Sequence, residues 1–204
     1  IALAVASIPE GLPIVATIAL ARGVYIMAQH QALINHLSAV ETLGSTNTIL
    51  TDKTGTLTEN SMTVKEYWFP SKKVQVEGEG LKADGGFKID TQKISADDYP
   101  QLHEALKIGV LCNNAAIEKK DNNENIFKGV GDPTEVALLI AGYKANLKRG
   151  TLTDQMPEVR EIAFESETKK MATIHKSEKE FFVAVKGAAS EVIHDCSRYL
   201  EGDA

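Results

Sequence analysis

The chain has 204 residues, of which 43% are hydrophobic and 25% charged, and a formal net charge of −6. It is long enough for one full domain or two small ones and too apolar for wholesale disorder. Its acidic balance, with no Lys/Arg cluster, argues against nucleic acid as a partner, and Cys112 and Cys196, which form no CxxC pair, read as reduced thiols of a cytosolic protein.

Residues 1–28 are uncharged except for Glu10 and Arg22, a length and composition that suit a membrane span. No Met opens the run and no basic region precedes it, so the chain reads as an internal fragment. Pro9-Glu10-Gly11-Leu12-Pro13 places two prolines in one turn, and each removes a backbone donor. This predicts an unwound stretch around Ile8 to Pro13. A carboxylate inside a span points to function. Freed carbonyls beside Glu10 would form an oxygen-lined cation site; the alternative is a plain turn with Glu10 solvated.

Residues 29–47 read as a helical stalk leading to a turn near Gly44. Thr48-Ile49-Leu50-Thr51 reads as a short strand running into Asp52-Lys53-Thr54-Gly55-Thr56. Met62 to Phe69 reads as extended, and residues 70–96, rich in Gly, Lys and Asp, as hairpins and loops. Asp98 to Asn114 carries helix-spaced apolar positions at Leu102, Leu106, Ile108 and Leu111. Lys119 to Asn125 reads as a polar loop. A helix from Asp132-Pro133 to about Asn146 has Asp as N-cap and Glu135 three residues on. Val159–Phe164, Met171–His175 and Phe181–Lys186 read as strands, followed by a helix from Ser190 to about Leu200. The five histidines show no metal spacing and read as surface or partly buried residues.

Asp52 carries the strongest chemical signal. A carboxylate at the end of a buried strand faces the crevice where α/β sheets bind ligands. The backbone N–H groups that follow can cradle phosphate oxygens, Gly55 permits a close turn, and Lys53 adds positive charge. Such an aspartate can attack a γ-phosphoryl group to give an acyl phosphate, with magnesium neutralising the developing charge.

Asp52-Lys53-Thr54-Gly55-Thr56-Leu57-Thr58 matches the signature of P-type ATPases, and the chain resembles that family over nearly its whole length, only in general character across 70–125. The resemblance implies that Asp52 is the phosphorylated nucleophile, assisted by Lys53 and Thr54, with Asp52 and Thr54 serving magnesium. Soluble phosphatases of the related haloacid dehalogenase superfamily carry a second Asp where this chain has Thr54. Thr is a poor proton shuttle near neutral pH, so the acyl phosphate should persist, as a pump requires.

Val5-Ala6-Ser7-Ile8-Pro9-Glu10-Gly11-Leu12-Pro13 resembles the fourth membrane helix of type II pumps, closest to calcium pumps. It implies cation binding by the carbonyls of Val5, Ala6 and Ile8 and by the Glu10 side chain. Sodium/potassium pumps usually have Leu at the position of Pro13, so calcium is the expected ion and another cation of the same pump type the alternative.

Three further patterns resemble the family's ATP pocket: Gly131-Asp132-Pro133-Thr134-Glu135, Phe164 with Lys169 and Met171, and Lys186-Gly187-Ala188. They imply that Glu135 lies in the adenosine pocket, that Phe164 stacks on adenine, and that Lys186 and Gly187 line the pocket floor. Read alone, Glu135 suits a capping box, Phe164 could be a core residue, and Lys-Gly-Ala is common.

The expected fold class is α/β and α+β. Part of a membrane helix (1–28) leads through a stalk (29–47) into the start of a haloacid-dehalogenase-like phosphorylation domain and hinge (48–66). An α+β nucleotide-binding domain with a mainly antiparallel sheet (67–204) follows. The resemblance implies ATP-driven cation transport through an aspartyl phosphate, with ATP, magnesium, the lipid membrane and the remainder of the same polypeptide as partners. Residues 29–204 would be cytoplasmic. Because that remainder would hold the actuator domain and further magnesium ligands, the 204 residues alone are predicted to be inactive. A nucleotide-binding module without catalysis is the alternative for the isolated chain.

Overall fold

A long apolar helix, α1 (Gly11–Gln29), opens the part of the chain that the computed structural model describes, namely residues 11–120, 125–178 and 180–200. Val5, Ala6, Ile8 and Glu10 lie outside the described residues. Gly11 to Pro13 are helical, so the unwinding expected from Ile8 to Pro13 does not reach them. The φ that the Pro13 ring fixes is helical, and its carbonyl accepts a hydrogen bond from Thr17 Oγ1 at 2.8 Å. By length and composition α1 can cross a membrane, and none of its residues is buried.

The stalk is not one helix. Gln31 takes a left-handed conformation (φ 62°), and the Ala32 N–H reaches back to the Met27 carbonyl at 2.9 Å. This closes α1 in a Schellman-type turn with Gln where glycine is usual. A second short helix, α2 (Ser38–Gly44), returns toward α1, its Val40 lying against Gly23. Beyond Gly44, Thr48–Thr51 is not a strand, because a strand needs ladder partners and these residues have none among the described ones.

The chain divides into two compact units, residues 1–56 and 57–204. In the second, a four-stranded antiparallel sheet runs β1 (Glu66–Trp68), β2 (Lys73–Val76), β3 (Phe87–Ile89) and β4 (Gln92–Ile94), neighbours in sequence pairing in space. The expected helix after it splits. Residues 96–98 form a 3₁₀ turn capped by Ser95, and α3 (Pro100–Leu111) begins with Pro at its first position, where the missing N–H costs nothing. Leu102 and Leu106, four residues apart on one face, pack with Val74, Val76 and Phe87. One turn further, Val110 and Leu111 enter a second core with Phe127, Leu139, Ile140 and Met171. One helix thus ties two cores together.

Between the helices lies a hairpin that the sequence does not announce, β5 (Ala116–Lys119) with β6 (Phe127–Val130). Then come α4 (Pro133–Lys144) and α5 (Arg149–Gln155). The last three strands fall within a residue or two of expectation: β7 (Glu158–Glu165), β8 (Lys170–Lys176) and β9 (Phe181–Gly187), an antiparallel sheet in that order. A short helix α6 (Ala189–Asp195) follows. On β8 the residues Met171, Thr173 and His175 point inward and are buried. His175 is therefore no surface histidine: its Nε2 meets Thr173 Oγ1 at 2.9 Å and its Nδ1 the Met156 carbonyl at 3.2 Å.

Candidate functional site

In the first unit, Asp52 is exposed and precedes a turn that begins at Thr54, in which Gly55 has φ 78°. A side chain at Gly55 would be strained in this left-handed conformation, which is why the turn needs glycine. Thr51 Oγ1 donates to the Asp52 carbonyl at 3.1 Å, leaving the carboxylate free of that hydroxyl.

In the second unit, the candidate nucleotide residues converge on one end of the β7–β8–β9 sheet. The cross-strand row Glu165–Lys170–Gly187 defines that end. Phe164 precedes it on β7, Lys169 sits in the β7–β8 turn, and Lys186 precedes Gly187 on β9. Phe164 is 59% exposed, so it is no core residue and its ring is available to stack on a ligand. Lys169 takes a left-handed conformation (φ 52°), and its carbonyl accepts from the Ala188 N–H at 3.0 Å. A Cβ on Gly187 would stand 2.3 Å from that carbonyl. Gly187 is therefore required by the close approach of β9 to the β7–β8 turn, a different reason from contact with a ligand.

Glu135 comes from α4. Asp132 caps this helix as expected, its Oδ1 accepting from the N–H groups of Thr134 (2.8 Å) and Glu135 (3.3 Å). Slight burial pushes the Asp132 carboxyl upward, but these hydrogen bonds outweigh it and hold the group below the usual carboxylate range. The Glu135 side chain does not complete a capping box. It pairs with the Lys186 ammonium and accepts the Asn114 N–H at 3.1 Å. The pair is mostly buried, the side chains retaining 14% and 23% exposure.

Two asparagines that sequence reasoning missed hold Glu135 in place. Asn113 is fully buried; its Nδ2 donates to the carbonyls of Gly109 (3.0 Å) and Glu135 (2.9 Å), and its Oδ1 accepts the Ala115 N–H at 2.9 Å. Asn114 Nδ2 reaches Glu161 on β7 at 2.7 Å. One turn thus joins the end of α3, the start of α4 and the sheet. The only sequence signal was the Asn doublet closing an apolar helix. Beneath it, burial raises the Cys112 thiol pKa against the opposing effect of Lys186, so this cysteine stays a neutral core thiol.

An exposed aromatic ring, a Lys–Glu pair and a second lysine at one sheet end can hold a nucleotide's base and its phosphates. The family model of the P-type ATPase cytoplasmic domain N matches residues 101–204, the stretch containing all of these residues. The chain belongs to the P-type ATPases. Similar curated proteins of this family include a calcium-transporting ATPase of Bacillus subtilis, 38% identical over the whole chain. Another is the cation-transporting ATPase pma1 of Synechocystis, 40% identical over the whole chain, and a third is calcium-transporting ATPase 1 of Saccharomyces cerevisiae, 39% identical over 98% of it. The chain spans only 21–23% of the length of these relatives. The match to domain N accords with the mixed helical and antiparallel architecture of residues 57–200.

Proposed function

We propose that the protein is an ATP-driven cation pump and that these 204 residues carry its phosphorylation loop and most of its nucleotide-binding domain. The observation that carries the reading is the exposed Asp52 preceding the Gly55 turn, in a chain that also assembles the Glu135–Lys186 pair. Adenine stacks on Phe164, and Lys169 and Lys186 attract the phosphates. An Asp52 carboxylate oxygen then attacks the γ-phosphorus. The new bond is carboxylate oxygen to phosphorus, the bond to the bridging oxygen breaks, and ADP leaves with that electron pair. Lys53 offsets negative charge at the reacting phosphoryl group. Thr54 offers a hydroxyl in place of a proton-shuttling acid, so the acyl phosphate persists.

Magnesium prefers hard oxygen donors and keeps water and phosphate ligands. The Asp52 carboxylate and Thr54 oxygens fit that preference, though no group of three potential ligands clusters among the described residues. Once bound, the ion neutralises charge on the transferring phosphoryl group. The remaining ligands come from the rest of the polypeptide.

The transported ion is calcium, by the names of two relatives above and by Pro13. The Val5, Ala6 and Ile8 carbonyls and Glu10 would bind it. Helix α1 lies in the membrane, and residues 29–204 face the cytoplasm. The test uses full-length protein in sealed vesicles with ATP and magnesium. Calcium-stimulated ATP hydrolysis and calcium uptake, both lost in Asp52→Asn, are expected. Uptake that survives this substitution, or hydrolysis indifferent to every cation, contradicts the proposal. The isolated 204-residue chain should bind ATP without turning it over.

A further inference from the structure

One cavity of the second unit, about 640 Å³, is not at the nucleotide site. It opens between the β5–β6 hairpin, the second half of α4 and the start of α5, and shares no lining residue with Glu135, Phe164, Lys169 or Lys186. Its volume falls within the roughly 300–1,000 Å³ typical of small-molecule sites.

The walls are of two kinds. Ile117, Phe127, Leu139, Tyr143 and Leu147 make an apolar floor, with Phe127 and Tyr143 packed edge to face at 4.6 Å. Lys119, Lys148 and Arg149 make a cationic rim, and no carboxylate lines the cavity among the described residues. The rim is poorly compensated. Lys148 has the Tyr143 ring 5.4 Å away. Arg149 Nη1 donates to the Ala115 carbonyl at 3.3 Å, its Nη2 stands 4.0 Å from Glu158, and its Nε is buried with no acceptor. An anion in the cavity would meet the accessible part of the Arg149 guanidinium, 33% of whose side chain is exposed, and the exposed Lys148 ammonium.

We propose that this cavity binds an amphipathic anion, a flat apolar body bearing a single carboxylate or sulfonate. The body lies over Phe127, Leu139 and Tyr143, and the head group reaches Arg149 and Lys148. The apolar floor excludes a bare inorganic anion as the preferred ligand, and the three cations exclude a neutral one.

The test uses the ¹⁵N-labelled 204-residue chain in lipid nanodiscs, titrated with biphenyl-4-carboxylate. Saturable shifts are expected at Ile117, Tyr143, Gly150 and Thr153. The neutral biphenyl-4-methanol should bind at least tenfold more weakly, as should the carboxylate to Lys148→Ala/Arg149→Ala. Ala116→Trp, a substitution at an exposed position of the wall, should block the cavity and abolish the shifts. If the Arg149 variant fails to fold, Lys119→Ala/Lys148→Ala repeats the charge test on two exposed side chains. Absence of saturable shifts, equal affinity for the alcohol, or undiminished binding by a folded rim variant overturns the proposal.

Discussion

Residues 11–56 and residues 57–200 are built on different principles. In the first stretch no described residue is buried; in the second, two cores meet on α3. The Asp52 turn is exposed, whereas the Glu135–Lys186 site exists only because α3, α4, β7 and β9 pack together. Changes around Asp52 should alter chemistry without altering stability, and changes behind Glu135 should alter both.

The sharpest separation comes from Asp52→Asn. Phosphoenzyme formation by the full-length protein should fall at least ~10³-fold, as expected when a nucleophile is removed. Thermal unfolding of residues 57–204 should not move, which calorimetry on the same preparation checks. At the opposite pole, Leu106→Ala deletes a side chain only 1% exposed in the first core. It should cost about 2–5 kcal/mol of unfolding free energy in denaturant titrations.

Glu135→Gln sits between these extremes. It leaves the Lys186 ammonium without its carboxylate, and a charge-assisted hydrogen bond of this kind is worth about 1.5–3 kcal/mol. Stability should drop by that order and ATP affinity should weaken with it. A double-mutant cycle with Lys186→Met should show the two losses to be non-additive; additive losses would mean that the pair is not formed.

A smaller effect concerns pH. Asp132 titrates below its ordinary value in the folded chain. Its stabilisation is thus fully present above the unfolded carboxyl pKa of about 3.9 and is lost as pH falls through the folded value. Asp132→Ala should lower stability at pH 7 by about 1 kcal/mol, the worth of an N-cap, and this deficit should shrink on acidification below about pH 4. Smallest of all, Ile18→Ser on the exposed face of α1 should change the stability of residues 57–204 by less than about 0.5 kcal/mol.

The same contrast explains what the sequence disclosed. Short-range signals were legible: the Gly55 turn, the Asp132 cap, the paired leucines of α3 and the three alternating strands β7 to β9. Features decided by distant partners were not. The β5–β6 hairpin has short, polar strands without a turn dipeptide, and it forms because Phe127 enters the second core. Asn113 looks like a loop residue until Gly109 and Glu135 surround it. The expected strand at Thr48–Thr51 failed for the converse reason: β-branched residues favour a strand only where a ladder partner exists. Gln31 broke the expected stalk through a left-handed turn that its residue type does not advertise. The candidate ATP residues were proposed through family resemblance, but the pairing of Glu135 with Lys186 was not legible, since the two meet across 51 positions.

The most direct measurement is chemical mapping of the phosphorylated residue. Full-length protein incubated briefly with ATP, magnesium and calcium is acid-quenched, reduced with borohydride and analysed by peptide mass spectrometry. Reduction of an aspartyl phosphate yields homoserine, and the account predicts homoserine at position 52 only. Homoserine at another aspartate, or a phosphorylated protein with Asp52 unchanged, would contradict it.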